Sequence, residues 1–232
     1  MNHFGAIKTA ALQAKAKELL LIGDINQIPH IDRHNVFPMS YEKLNTVAKV
    51  SRELLRSYRN PMNVAYALNK IYSGIYYAQE ETRSLTMDGY DRNKLSISLP
   101  QTLYLAHIQT GKTELEAMRC GQGKESKVLT IHEAQGLTSK NMVIVRTASK
   151  KAAIYNSIQH VIIAITRHSE NCMYLTVNCS DAIARLIQRA SNATTEHIIE
   201  YNAKMAIRSW GISSVTEITK HRKKPEQYWP SK

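Results

Sequence analysis

Short apolar runs separated by helix-forming stretches fill the chain from residue 102 onward, and no other feature restricts its fold as much. Thr102–Ala106 reads as a strand, His107–Gly111 as a loop and Lys112–Arg119 as a helix. Val128–Ile131, Met142–Val145 and Met173–Val177 read as further strands, with a turn or short helix at Glu133–Gly136 between the first two. His160–Ile165 is too short for periodicity to separate helix from strand, and Asp181–Ala190 reads as a helix with Ser180 as its N-cap. Strands alternating with helices predict an α/β fold built on a parallel sheet. Upstream, Ile7–Glu18 has helical composition, and the apolar run Leu19–Ile22 stops at Gly23-Asp24 like a buried parallel strand. Tyr41–Tyr77 reads as mainly helical, with Pro61 opening a helix after Asn60 as N-cap. Ser84–Leu99 is polar and reads as a loop or edge excursion.

Composition narrows the classes. The chain has 232 residues, 43% hydrophobic and 22% charged, the profile of a soluble globular protein. No apolar run approaches the ~18 residues of a membrane-spanning helix, and the first ten residues lack a secretory h-region. Cys120, Cys172 and Cys179 are odd in number and form no CxxC pair, which suits a reducing cytosol. Cys172 and Cys179 have no third and fourth partner, so no metal site is expected. The formal net charge of +12 suggests a polyanion partner, because cations that neutralise phosphates release condensed counterions. A basic but inert surface is the alternative.

Three segments carry candidate chemistry. Gly23-Asp24-Ile25-Asn26-Gln27-Ile28-Pro29 would set a carboxylate on the sheet rim and offer the Gln27 amide to a phosphate; an aspartate capping the next helix is the plainer reading. Thr130 to Thr138 groups hydroxyls, the His132 imidazole and the Gln135 amide around Gly136, where backbone can approach a ligand. His132 alone reads equally as a satisfied polar core residue. Arg167 directly follows the apolar run ending at Thr166, where an arginine often pairs with a nearby carboxylate. A fourth segment, Ala106 to Thr113 (AHIQTGKT), is a relaxed P-loop with alanine for the first glycine.

As an ordered set the first three segments resemble the superfamily 1 helicases of alphavirus-like plus-strand RNA viruses, particularly tobamovirus-like and insect negevirus-like replicases. GDINQIP looks like motif III, TIHEAQGLT like motif V and HVIIAITRH like motif VI. Arg56-Ser57-Tyr58-Arg59-Asn60-Pro61 is similar to the family's RCP-type motif, with Asn60 for the usual cysteine. The resemblance spans roughly residues 1–190. It implies a RecA-like parallel sheet with flanking helices: the end of a first domain over residues 1–40, a second over 41–190, and an extension or linker over 191–232. It implies ATP as the cofactor, with Asp24, Gln27, Arg59, Gln135, Gly136 and Arg167 around it. Gln27 would sense the γ-phosphate, Arg59 and Arg167 would neutralise developing charge, and Asp24 would couple the site to the RNA track. Thr130, His132 and Thr138 would meet the RNA backbone.

The opening Met1-Asn2-His3-Phe4-Gly5 is similar to the residues directly after the family's Asp-Glu pair, so the resemblance puts Walker A and Walker B upstream and Mg²⁺ with them. It also puts a strand–loop–helix of the second domain at the relaxed P-loop, turning Lys112 toward RNA phosphate or solvent. The expectation is the C-terminal part of an ATP-dependent RNA helicase in a cytoplasmic viral replication complex, inactive without its N-terminal half or other replicase domains. The alternatives are a non-catalytic RNA- or replicase-binding module and a stand-alone P-loop NTPase using Lys112.

Overall fold

Five strands of the computed structural model form one sheet: β3 (Leu85–Gly89), β4 (Thr102–Ala106), β5 (Lys127–Thr130), β6 (Ser139–Arg146) and β7 (His168–Thr176). Their order across the sheet is β3-β7-β6-β4-β5. Every pairing is parallel. The structure describes residues 10–18, 20–28, 50–78, 80–150 and 152–221. The expected boundary at residues 40 and 41 lies outside them.

The strand sequences explain the layering. In β4, Leu103 and Leu105 enter the larger core, with Met142 and Ile144 of β6 and Cys172 and Tyr174 of β7. Tyr104 and Ala106 enter a second core on the other face, with Val143, Val145 and Leu175. Helices α1 (Met62–Leu68), α3 (Ile158–Thr166) and α4 (Ala182–Asn192) cover the first face, and α2 (Gln109–Ala117) covers the second through Leu115. Burial on both faces is why these strands read as continuous apolar runs. The ambiguous run at 160–165 is helix: α3 buries every residue from Val161 to Thr166. Cys172 is wholly buried in the core, and its burial pushes the thiol pKa up, whereas Cys179 is exposed.

Several local expectations need correction. Leu20–Ile22 is not a strand; Leu20 and Ile22 are largely exposed, because a parallel strand exists only beside a hydrogen-bonded neighbour and none of the described strands lies there. The helix expected to reach Glu18 is described only over residues 10–13, and the chain turns at Lys15 with φ of 51°. Residues 50–77 hold one seven-residue helix rather than a mainly helical stretch. Gly74, at φ of +89°, reverses the chain so that β2 (Tyr76–Tyr77) pairs with β1 (Arg56–Ser57). Helix α1 starts at Met62 with Pro61 as its cap, because the Asn60 amide is used elsewhere. Leu85–Gly89 is an edge strand whose half-exposed pattern hid its period. The segment after Ser191 is helical as α5 (Thr195–His221), and Asn202 hydrogen-bonds both backbone groups of Tyr77.

Asp181, not Ser180, caps α4: its Oδ1 accepts from Ala184 N at 2.9 Å. Its Oδ2 takes the Arg146 guanidinium at 2.8 Å and the Tyr174 hydroxyl. Both partners of this ion pair are almost fully buried, so removing one strands the other in a low-dielectric interior. Arg146→Ala is expected to lower stability by about 3–5 kcal/mol, read by urea unfolding monitored with circular dichroism.

Candidate nucleotide and RNA site

The sheet separates the candidate residues into groups at its two ends. Helix α3 runs back along the sheet and ends at Arg167, whose carbonyl accepts from Ser139 N at 2.9 Å where β6 begins. Arg167 therefore sits at the amino-terminal edge of β6 and β7, directly before His168. Arg59 reaches the same edge, and its Nη1 donates to Thr138 Oγ1 at 2.9 Å. Thr138, expected on the RNA side, thus lies with the arginines. Between the two arginines Asn60 acts as a clamp: its Nδ2 donates to Thr166 O at 2.9 Å and to His168 O at 3.1 Å. The residue standing in for the family's cysteine grips the backbone on both sides of Arg167.

The segment holding Asp24 and Gln27 docks at this edge. Ile28 is buried in the main core, and its carbonyl accepts from Gln135 Nε2 at 3.2 Å. Asp24 Oδ1 accepts from Asn26 N at 2.9 Å, and Oδ2 accepts from Gln27 Nε2 at 3.1 Å and from Tyr72 Oη at 2.5 Å. Gly136 turns the chain at φ of +87°, which places Gln135 against Ile28 and Thr138 against Arg59. The site expectations for Asp24, Gln27, Arg59, Gln135, Gly136 and Arg167 thus fall in one region.

The electrostatics of that region are unusual. Arg167 is 4% exposed, and neither its Nε nor its Nη2 has a hydrogen-bond partner among the described residues. Arg59 Nε is likewise buried and unpartnered. Burial lowers the pKa of both arginines, and Arg59 lowers that of Arg167 further by like charge. Burial, reinforced by Arg59, brings His168 down to about 3, so it is neutral at physiological pH and bonds Ser84 Oγ at 2.8 Å. A buried guanidinium with open donors beside a second, half-buried one favours an anion with several oxygens.

The other end of the sheet is different. Thr130 closes β5 beside Ala106 of β4, at the carboxyl-terminal edge. Its N–H donates to Glu133 Oε2 at 2.8 Å, and its Oγ1 accepts from Glu133 N at 3.2 Å. Glu133 Oε2 also accepts from Lys112 Nζ at 3.0 Å. Burial raises the Glu133 pKa, but these bonds together hold it below the ordinary carboxylate value. His132 lies close enough to lower the pKa of His160, after burial of that ring. The structure thus separates Thr130 and His132 from Thr138.

The relaxed P-loop is not a phosphate cradle. Only His107 and Ile108 separate β4 from α2, so Gln109, Thr110 and Gly111 are already helical and no open loop surrounds a ligand. Lys112 is largely buried and ion-paired to Glu133 at 3.0 Å. Among the described residues no group of three or more His, Cys, Asp or Glu could hold a metal ion. No described helix is long and apolar enough to cross a membrane.

The fold is an α/β protein with a parallel sheet, one edge of which carries the buried Arg167 and the half-buried Arg59. The chain belongs to the viral superfamily 1 RNA helicase family: that family's core-domain model matches residues 1–176. Over 210 residues it is 30% identical to replicase protein 1a of Grapevine leafroll-associated virus 3, covering 82% of this chain and 9% of that protein. It is 30% identical over 192 residues to the replicase large subunit of Tobacco rattle virus, covering 82% and 11%. Replication protein 1a of Alfalfa mosaic virus is 28% identical over 204 residues, covering 83% and 18%. The chain therefore spans a small fraction of the replicases it matches. Among solved structures, the Arterivirus nonstructural protein 10 helicase aligns over 71% of this chain and 34% of its own, at 18% identity and a TM-score of 0.47.

Asn60 and Tyr72 are not recognisable as contributors from the sequence. For Asn60 the only signal is its place in the RCP-type motif; Tyr72 has none, because its partner lies 48 positions away. Lys112→Ala is expected to leave ATP affinity unchanged while loosening the Thr130–Glu133 turn, and titration with a fluorescent nucleotide checks it. A loss of nucleotide binding would restore the P-loop reading.

Proposed function

We propose that this chain supplies the arginine side of the ATP site, and part of the RNA track, of a viral RNA helicase. The observation that carries the reading is the buried Arg167, with two guanidinium nitrogens unpartnered among the described residues, beside the half-buried Arg59 at the edge where the Asp24–Ile28 segment docks. An uncompensated buried charge is costly, and an arriving polyphosphate supplies the missing partner. Arg167 and Arg59 would hold the terminal phosphates and the charge that develops during transfer. Thr138 orients Arg59, and Asn60 fixes the backbone that carries Arg167. Gln27 would report the terminal phosphate, and Asp24 would pass its state to the rest of the protein. Gln135 and Gly136 join the docked segment to the sheet.

Thr130 and His132, at the far end of the sheet, would contact the RNA backbone, so the segment from Thr130 to Thr138 would span nucleotide and nucleic acid. Residues 1–40 would close a first RecA-like domain, 41–190 would form the second, and 191–232 an extension. Magnesium does not fit the described residues, which hold no group of three or more His, Cys, Asp or Glu suited to it. The setting would be a cytoplasmic viral replication complex, in which ATP hydrolysis drives RNA unwinding.

The chain alone is expected to show no appreciable ATPase, because these residues provide no P-loop lysine. Adding a segment that carries the P-loop and the magnesium carboxylates should restore it. In that complemented enzyme Arg167→Ala should lower kcat by about 10³–10⁵, measured by phosphate release. Turnover that survives the substitution sinks the reading. Restored folding without any ATPase would favour the non-catalytic RNA- or replicase-binding module instead. The chain should bind single-stranded RNA with an affinity that falls steeply as salt rises, measured by fluorescence anisotropy.

A further inference from the structure

Arg167 is buried and open, yet a carboxylate lies close enough for its charge to be felt by the guanidinium. That carboxylate is Asp24, and no ion pair joins the two. A buried guanidinium and a nearby carboxylate ordinarily pair through two parallel hydrogen bonds. Here the Asp24 oxygens are bonded to other donors instead.

Both oxygens of Asp24 are engaged. Two of its three bonds are local: Asn26 N and Gln27 Nε2 lie two and three positions away and move with the turn. The third comes from Tyr72, 48 positions along the chain, whose hydroxyl donates to Oδ2 at 2.5 Å. The Tyr72 ring packs on the main core, and its backbone N–H is fixed to Leu68 O at 2.9 Å. The phenol stays protonated at any physiological pH: burial first, then the bond to Asp24, raises its pKa well above the ordinary value. Tyr72 is thus a rigid donor anchored in the second half of the fold, aimed at a carboxylate on the docked segment.

We propose that Tyr72 is a positioning residue that keeps the Asp24 carboxylate off Arg167, so that the guanidinium stays open to the phosphates of a nucleotide. This rests on the nucleotide reading of Arg167. Without the hydroxyl, Asp24 keeps only the bonds of its own turn and is free to rotate onto Arg167, where it competes with the incoming phosphate. The same bond fastens the docked segment to the turn that follows α1.

The test uses the 232-residue chain and ATP as the probe, with affinity measured by calorimetry and folding checked by circular dichroism. Tyr72→Phe retains the ring and its packing. It is expected to weaken ATP binding about tenfold, the scale of a hydrogen bond to a charged group. In an Asp24→Asn background, where no carboxylate competes, Tyr72→Phe is expected to have no further effect. Equal losses in both backgrounds would make Tyr72 a merely structural residue and overturn the proposal, as would no loss in either. Arg167→Ala separates the two levels. If it leaves ATP affinity unchanged, the nucleotide reading itself fails; if it weakens binding while Tyr72→Phe does not, only the role of Tyr72 fails.

Discussion

Burial of both faces of the central strands is the constraint on which the rest of this structure depends. Leucines and isoleucines on one face of β4 and β6, and tyrosine, alanine and valines on the other, leave no room for polar chemistry between the layers. Polar side chains with open valences therefore collect at the two ends of the sheet. One buried polar group within the interior, Arg146 with Asp181 and Tyr174, is internally satisfied and also caps α4. It joins β6, β7 and α4 and leaves Asp181 no part in ligand chemistry.

The two ends have opposite characters. At the carboxyl-terminal edge Lys112, Glu133 and Thr130 neutralise one another in a closed set of bonds. At the amino-terminal edge Arg167 is buried with two guanidinium nitrogens unpartnered among the described residues, Arg59 lies beside it half-buried, and the Asp24 carboxylate is bonded to Tyr72. Neighbouring cations in a low-dielectric setting raise each other's free energy, and an anion relieves both at once. That asymmetry is the physical basis for the proposal that the nucleotide's phosphates bind at the amino-terminal edge.

The motifs that carry the family resemblance are legible because they are contiguous. Gly23 to Pro29, Thr130 to Thr138 and His160 to His168 each carry their residue types in a short window, and the parallel α/β class emerges from strands alternating with helices. Where local pattern misleads, the deciding partner is distant. Leu20–Ile22 is apolar enough for a strand, but apolarity does not provide a neighbour. Asn60 looks like a helix cap beside Pro61, yet Thr166 and His168 claim its amide. The relaxed P-loop matches in letters, but strand and helix stand two residues apart and leave no loop to wrap a phosphate.

By itself the sequence determined the family, the parallel sheet and a set of candidate side chains, since these depend on local order and composition. Only the tertiary structure decided which of them act together. It moved Thr138 to the arginines, paired Lys112 with Glu133, and set Tyr72 against Asp24. Hydrogen bonds and ion pairs form between groups that packing brings within about 3 Å, whatever their separation along the chain. Whether an arginine is paired or open is therefore settled by the fold around it.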